Sequence, residues 1–201
     1  MMICVQKGNN LAIETPTTDR RVQRTRLALR DALISLLHER SWDDINIQIL
    51  CERADIGRST FYIHFQNKEE LLVSGFKDLQ IFLRARAGPF QQGASDSLPF
   101  LRGLIEHVYE HRTLFRVIIG RGSGHVVQKR FREMVNQLFD EDISLDTVGW
   151  ERDAVARYVA GAFIELLAWW IDVGTERSAD DIENLFYQLT LPVIRSLDYR
   201  V

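Results

Sequence analysis

Proline is scarce in this chain, four among 201 residues, and cysteine scarcer still, with Cys4 and Cys51 alone. Two thiols cannot build a disulfide framework, so a reducing compartment is expected. No run approaches the roughly 18 uninterrupted apolar residues of a membrane-crossing helix, and the start, "MMICVQKGNNLAIETPTTD", lacks a signal-peptide apolar segment. A cytoplasmic protein with no membrane partner is the expectation. Alternating apolar and polar runs long enough for a strand are also missing, as are internal repeats and low-complexity tracts. That excludes the β-rich and solenoid classes.

What is present is an ordinary globular composition, 46% hydrophobic and 26% charged. Its length suits one large or two small domains. Net charge is only −3, but it is unevenly spread: residues 1–68 hold ten Lys/Arg against eight Asp/Glu, and residues 69–201 fifteen against twenty. The stretch "RRVQRTRLALR", Arg20 to Arg30, has five arginines and no acid. A basic pole on an acidic body fits a protein that touches a polyanion with one end.

Helical periodicity runs nearly throughout. A first helix is expected over about Asp19 to Arg40, with Leu29, Ala32, Leu33 and Leu36 on one face. Asn46 is placed to cap a short second helix, and Ile47, Leu50, Cys51 and Ala54 repeat the apolar spacing. "ADIG" signals a turn and "RSTFYIHF" a two-turn third helix. Asn67 caps a long fourth helix ending near Gly88-Pro89. Further helices are expected over about 98–111, 113–120, 124–140, 149–173 and 178–199, with Pro192 kinking or shortening the last. The fold expected is all-α. A flexible arm (1–18) and a helix-turn-helix domain (19–67) precede a helical ligand-binding and dimerisation domain (68–201).

Two short helices joined by a tight turn, the second polar at its start, describe a helix-turn-helix. Phe61 and Phe65 take the packed face of the second. Arg58, Ser59 and Thr60 stand at its exposed start, where Arg forks onto guanine and a hydroxyl donates to bases or phosphate. Tyr62 and His64 lie off the packed face and offer donors to phosphate. Lys68 opens the next helix, beside its free N–H groups.

From about Arg24 to Leu72 the chain resembles the TetR family of one-component transcriptional regulators. The resemblance is carried by "INIQILCERADIGRSTFYIHFQNKEELL" and its Thr-aromatic-Tyr-x-His-Phe core. It implies phosphate contacts from Tyr62, His64 and Lys68, and base reading from Asn46 and Gln48, then from Arg58, Ser59 and Thr60. Arg24, in the arginine-rich first helix, joins the expected DNA-contact set. Asp55 stands where the family usually has Gly, and Gly57 where it usually has a Ser or Thr cap. Beyond residue 72 the resemblance is architectural, and it implies a variable helical body whose last two helices pair with a second subunit.

That places a homodimer interface on Val159, Phe163, Leu166, Trp170, Phe186 and Leu189. The stretch "VARYVAGAFIELLAWWIDVG" is apolar on nearly every face and needs burial on every face. Phe82, Phe100, Leu104, Tyr109, Phe115, Phe131 and Trp169 are the candidate lining of a pocket for an apolar or aromatic effector. No cofactor, metal or catalytic residue is expected. The reading is thus a ligand-responsive repressor binding a pseudo-palindromic double-stranded DNA operator as a homodimer. Two alternatives accompany it. One is a regulator controlled by a protein partner. The other is a zinc-dependent hydrolase built on His107, Glu110 and His111, which match H-x-x-E-H with both imidazoles on one helix face.

Overall fold

The computed structural model describes residues 16–86, 98–120, 124–142, 150–173 and 177–198. Among them are nine α-helices and no strand. The expected end of the fourth helix at Gly88-Pro89 and most of the expected arm lie outside the described residues. The first helix, α1 (Pro16–Glu39), begins three residues before the expected start, with Pro at its first position where a missing N–H costs nothing. Leu29, Leu33, Leu36 and Leu37 are buried along one face of α1, and Trp42 and Ile45 are buried in the link that follows.

The second helix, α2 (Ile47–Ala54), starts as its sequence requires: Asn46 Oδ1 accepts from the Ile49 N–H at 3.0 Å. It ends on Asp55 in the left-handed conformation, φ 53° and ψ 48°, while the Ile56 N–H donates to the Cys51 carbonyl at 3.0 Å. The turn therefore needs the left-handed residue that the family pattern fills with Gly, and Asp tolerates it at some strain. Gly57 then opens α3 (Arg58–His64) without a side-chain cap. Phe61 and Phe65 seal α3 against α1 and α2, with ring centroids 6.0 Å apart.

The fourth helix, α4 (Lys68–Arg86), spans about 28 Å at the α-helical rise. Asn67 Oδ1 accepts from the Glu70 N–H at 2.8 Å, and the Glu70 carboxylate accepts from the Gln66 N–H at 2.7 Å. The helix packs on α1 at its start and on the body beyond. The body comprises α5 (Pro99–Glu110), α6 (Arg112–Ile119), α7 (His125–Asp142), α8 (Trp150–Val173) and α9 (Ala179–Asp198). Its centre is a ring cluster: Phe139 meets Phe100, Phe163 and Phe186 at 4.9, 5.6 and 5.9 Å. Edge-on packing of this kind adds to plain area burial. By length and composition α8 could cross a membrane, but α5, α6, α7 and α9 pack against it and it forms the body's core.

Pro192 does not end α9, which continues to Asp198. Pro192 has no N–H to donate to the Gln188 carbonyl, and both residues are exposed, so the carbonyl it does not serve is not shut away from solvent. The Asp55 turn gives a test of the local fold by urea unfolding. Asp55→Gly should raise stability by about 0.5 kcal/mol, whereas Asp55→Val should cost more than about 1 kcal/mol.

Candidate DNA-binding surface and interior cavity

Packing of Phe61 and Phe65 inward turns the opposite side of α3 outward. Arg58, Ser59, Tyr62 and Ile63 are all exposed there, Ile63 at 77%. Thr60 and His64 flank them, half-buried. Burial, helped by nearby Arg26, pushes the His64 pKa below its ordinary value, so the imidazole is neutral near pH 7 and one ring nitrogen donates. Arg26 itself lies over the Phe65 ring at 5.1 Å, and Arg24 is exposed two residues earlier on α1. The starts of α2 and α3 meet at a shallow groove of about 450 Å³ lined by Asn46, Gln48, Arg58, Asn67 and Lys68. Six of the nine expected contact residues (Arg24, Arg58, Ser59, Thr60, Tyr62 and His64) are thus exposed or half-exposed with no side-chain hydrogen bond among the described residues; Asn46 is tied by its cap, and Gln48 and Lys68 as described below.

Gln48 donates to Glu52 at 2.9 Å on the rim of the same groove, a solvent-exposed bond that a base edge can replace. Lys68 differs more. Its ammonium donates to the Trp42 carbonyl at 2.6 Å and the Ile45 carbonyl at 2.7 Å, and lies 4.5 Å over the Trp42 ring. Burial lowers its pKa, against the pull of Asp43 and Asp44. The free ammonium that the sequence suggests is not found; Lys68 instead ties the α1–α2 link to the start of α4. Ile63 was not anticipated from sequence. Its signal was the register of Phe61 and Phe65, which forces residue 63 outward.

A second feature lies between the reading head and the body. A cavity of about 490 Å³ is bounded by α1, α4, α5 and α6, with mostly apolar walls such as Leu27, Ile34, Leu79, Leu114 and Phe115. Arg30 and Asp78 form an ion pair joining α1 to α4 at this cavity. Arg30 Nε and the Ser74 hydroxyl are buried without a hydrogen-bond partner among the described residues.

Of the expected pocket residues, the structure places Phe82 and Phe115 on this cavity. Phe100, Leu104 and Phe131 are sealed in the core instead, Tyr109 stacks on Trp170 at 5.1 Å, and Trp169 is exposed. The cavity's other wall comes from α1, which sequence reasoning assigned wholly to the head. His107, Glu110 and His111 line it too. Burial, then the neighbouring His111 and Arg86, push the His107 pKa down to about 4 against the pull of Glu110. Cys51 is a buried, free thiol whose pKa burial raises, so it packs in the core of α2.

The expected dimer residues also divide. Val159, Phe163, Trp170 and Phe186 are buried within their own chain, Leu166 is half-buried, and Leu189 is 63% exposed. The uncovered stripe of α8 is another one: Tyr158 is 60% exposed, Trp169 46%, and Ala162 is exposed between them, with open space around the position of a Gly161 side chain.

A helix-turn-helix with an outward polar and aromatic reading helix, joined through a long helix to a helical body, is the architecture of a DNA-binding regulator. Comparison with known proteins specifies the family. Residues 29–74 match the family described as "Bacterial regulatory proteins, tetR family", and residues 95–191 match "Transcriptional regulator C-terminal region". The chain belongs to the TetR family of transcriptional regulators.

It is 26% identical over 175 residues to the uncharacterized HTH-type transcriptional regulator YxbF of Bacillus subtilis (strain 168). That match covers 85% of this chain and 45% of the relative, so the chain spans about half of that protein's length. A TetR transcriptional regulator from Streptococcus agalactiae 2603V superposes with a TM-score of 0.62 at 25% identity, covering 87% of this chain and 97% of that one. NalD, the secondary repressor of the MexAB-OprM multidrug efflux pump in Pseudomonas aeruginosa, shares the fold at 18% identity and a TM-score of 0.58, covering 90% and 100%. So does the dihydroxyacetone kinase operon activator DhaS, at 20% identity and a TM-score of 0.55, covering 86% and 97%.

Loss of the Lys68 ammonium should leave the Trp42 and Ile45 carbonyls facing a part-buried gap. Lys68→Ala is therefore expected to lose about 1–3 kcal/mol of stability in urea unfolding. A variant as stable as the wild type would return Lys68 to a free, anion-seeking role.

Proposed function

We propose that the protein is a ligand-responsive repressor that binds a pseudo-palindromic DNA operator as a homodimer in the cytoplasm. The observation that carries this reading is the outward face of α3: a forking Arg, two hydroxyls, a phenol and a bare isoleucine on one short, rigidly seated helix. Arg58 supplies bidentate guanine readout, Ile63 apolar contact with a thymine methyl, and Tyr62 with His64 phosphate anchoring. Asn46 and Gln48 reach bases from the start of α2, Ser59 and Thr60 from the start of α3, and Arg24 the backbone. One such helix covers only a few base pairs, so two copies related by a two-fold axis are needed for a unique site.

The second subunit is best accommodated on the Tyr158, Ala162, Trp169 and Leu189 face, where small residues permit close approach and the rings supply area. The effector is an apolar or aromatic small molecule in the cavity between α1, α4, α5 and α6. A volume of about 490 Å³ falls in the usual range for such ligands. An acceptor group on the molecule would pair with Arg30 Nε, which otherwise has none. Occupancy weakens operator binding only as far as the ligand prefers the head-body arrangement that does not fit DNA. Related folds serve an operon activator and an efflux repressor, as their names state, so the fold alone does not set the sign of control.

Anisotropy titrations on duplexes differing by single base pairs test the reading helix. Arg58→Ala should lose roughly 1–3 kcal/mol of discrimination at one position in each half-site. Tyr62→Phe should weaken all duplexes alike, and equal weakening by both variants would make Arg58 a phosphate contact. Sedimentation at micromolar concentration should show twice the 23.3 kDa chain mass. Trp169→Glu is expected to yield a folded monomer; a 23.3 kDa wild-type species would refute the dimer.

A further inference from the structure

One side-chain cluster takes no part in the reading helix or in the body's core. His107 lies in the last turn of α5, Glu110 ends that helix, and His111 both closes α5 and opens α6. Spacing of three and four residues puts all of them on one helix face. The potential ligand atoms of the three lie within 4.8 Å of one another, and the two imidazole centroids are 4.6 Å apart. His107 is half-buried between the rings of Phe82 and Phe115, at 5.8 and 5.7 Å, while Glu110 and His111 are exposed. None of the three side chains makes a hydrogen bond with another described residue, although Glu110 and Arg86 act on His107 through their charges.

We propose that His107, Glu110 and His111 form a binding site for a divalent transition metal ion, zinc being the best fit. Two nitrogens and one carboxylate oxygen suit zinc, cobalt or nickel, whereas magnesium and calcium prefer oxygen alone. Two ligands of one tetrahedral zinc ion stand about 3.4 Å apart, so the side chains must close by up to about 1.5 Å. Rotation about the χ angles of exposed Glu110 and His111 supplies that movement. His107, packed between two rings, is the fixed ligand on which the others converge.

The site faces the cavity that α1 shares with the body, and three protein ligands leave at least one position of a tetrahedral ion open toward it. His111 is the hinge residue between α5 and α6, so a bound ion would clamp that corner. Because α6 packs on α1, the clamp would act on one wall of the cavity. The site stands whether or not the cavity takes an organic effector, because its ligands need no other molecule to converge.

The test is a titration of the untagged full-length protein, stripped with a chelator, using zinc chloride in a calorimeter and cobalt(II) followed by its visible absorption. The expected result is one ion per chain at micromolar affinity, with the intense cobalt bands of a four-coordinate site. His111→Ala and Glu110→Gln change exposed side chains and should leave the thermal unfolding of the metal-free protein unchanged. Each should weaken zinc binding at least roughly tenfold, since loss of a ligand costs no less than loss of an outer-shell partner. Absence of saturable one-to-one binding would overturn the site. So would wild-type affinity in either variant, which would place the ion elsewhere on the chain.

Discussion

How α4 is held governs what the rest of the molecule can do, because it alone runs from the reading head into the body. On one side it is fastened to α7 at both ends. Arg130 binds Glu69 near the start of α4, and Arg84 binds Asp142 at 2.7 Å near its end. Between them the rings of Phe76 and Phe131 meet at 6.0 Å. Exposed ion pairs contribute little singly, but the Asp142 side chain is only 7% exposed, so losing its arginine would strand a desolvated carboxylate. On its other side α4 meets α1 across the cavity, with the Arg30–Asp78 pair as its polar tie. On the proposed function, a ligand filling the cavity would push α1 away from α4 and α6 more readily than it would move α4 along α7.

Under that proposal the asymmetry would direct control to the head. The three helices of the head share one apolar cluster built on Leu29, Leu50, Phe61 and Phe65, so they move together. A displacement of α1 carries α3 with it. In a dimer, a small rotation at each head changes the separation of two reading helices, and both must fit successive major grooves of one duplex. Lys68 adds to the coupling by pinning the α1–α2 link to the start of α4 through two carbonyls.

Much of this was legible in the residues. The Asn46 cap, the Asp55 turn and the inward Phe61–Phe65 register are local, and local chemistry dictates them. Helix limits in the body were equally readable, within two residues, because apolar periodicity and breakers coincide there. The facing of α8 was not readable. A helix apolar on every side has no periodic signal to separate Val159 and Phe163, which face the chain's own core, from Tyr158 and Trp169, which do not. Nor was the cavity, whose walls are brought together from α1, α4, α5 and α6 by long-range packing. The bonds of Lys68 were not legible for a related reason: the carbonyls that accept from it lie 23 and 26 residues away.

The most direct measurement for this account is a selection of duplexes from a random library by the intact protein, followed by sequencing of the bound fraction. A homodimer reading DNA through α3 should enrich one motif with two-fold symmetry, its half-sites about one helical turn or a multiple apart. Binding without any enriched motif, or enrichment of a single half-site with no symmetric mate, would contradict it.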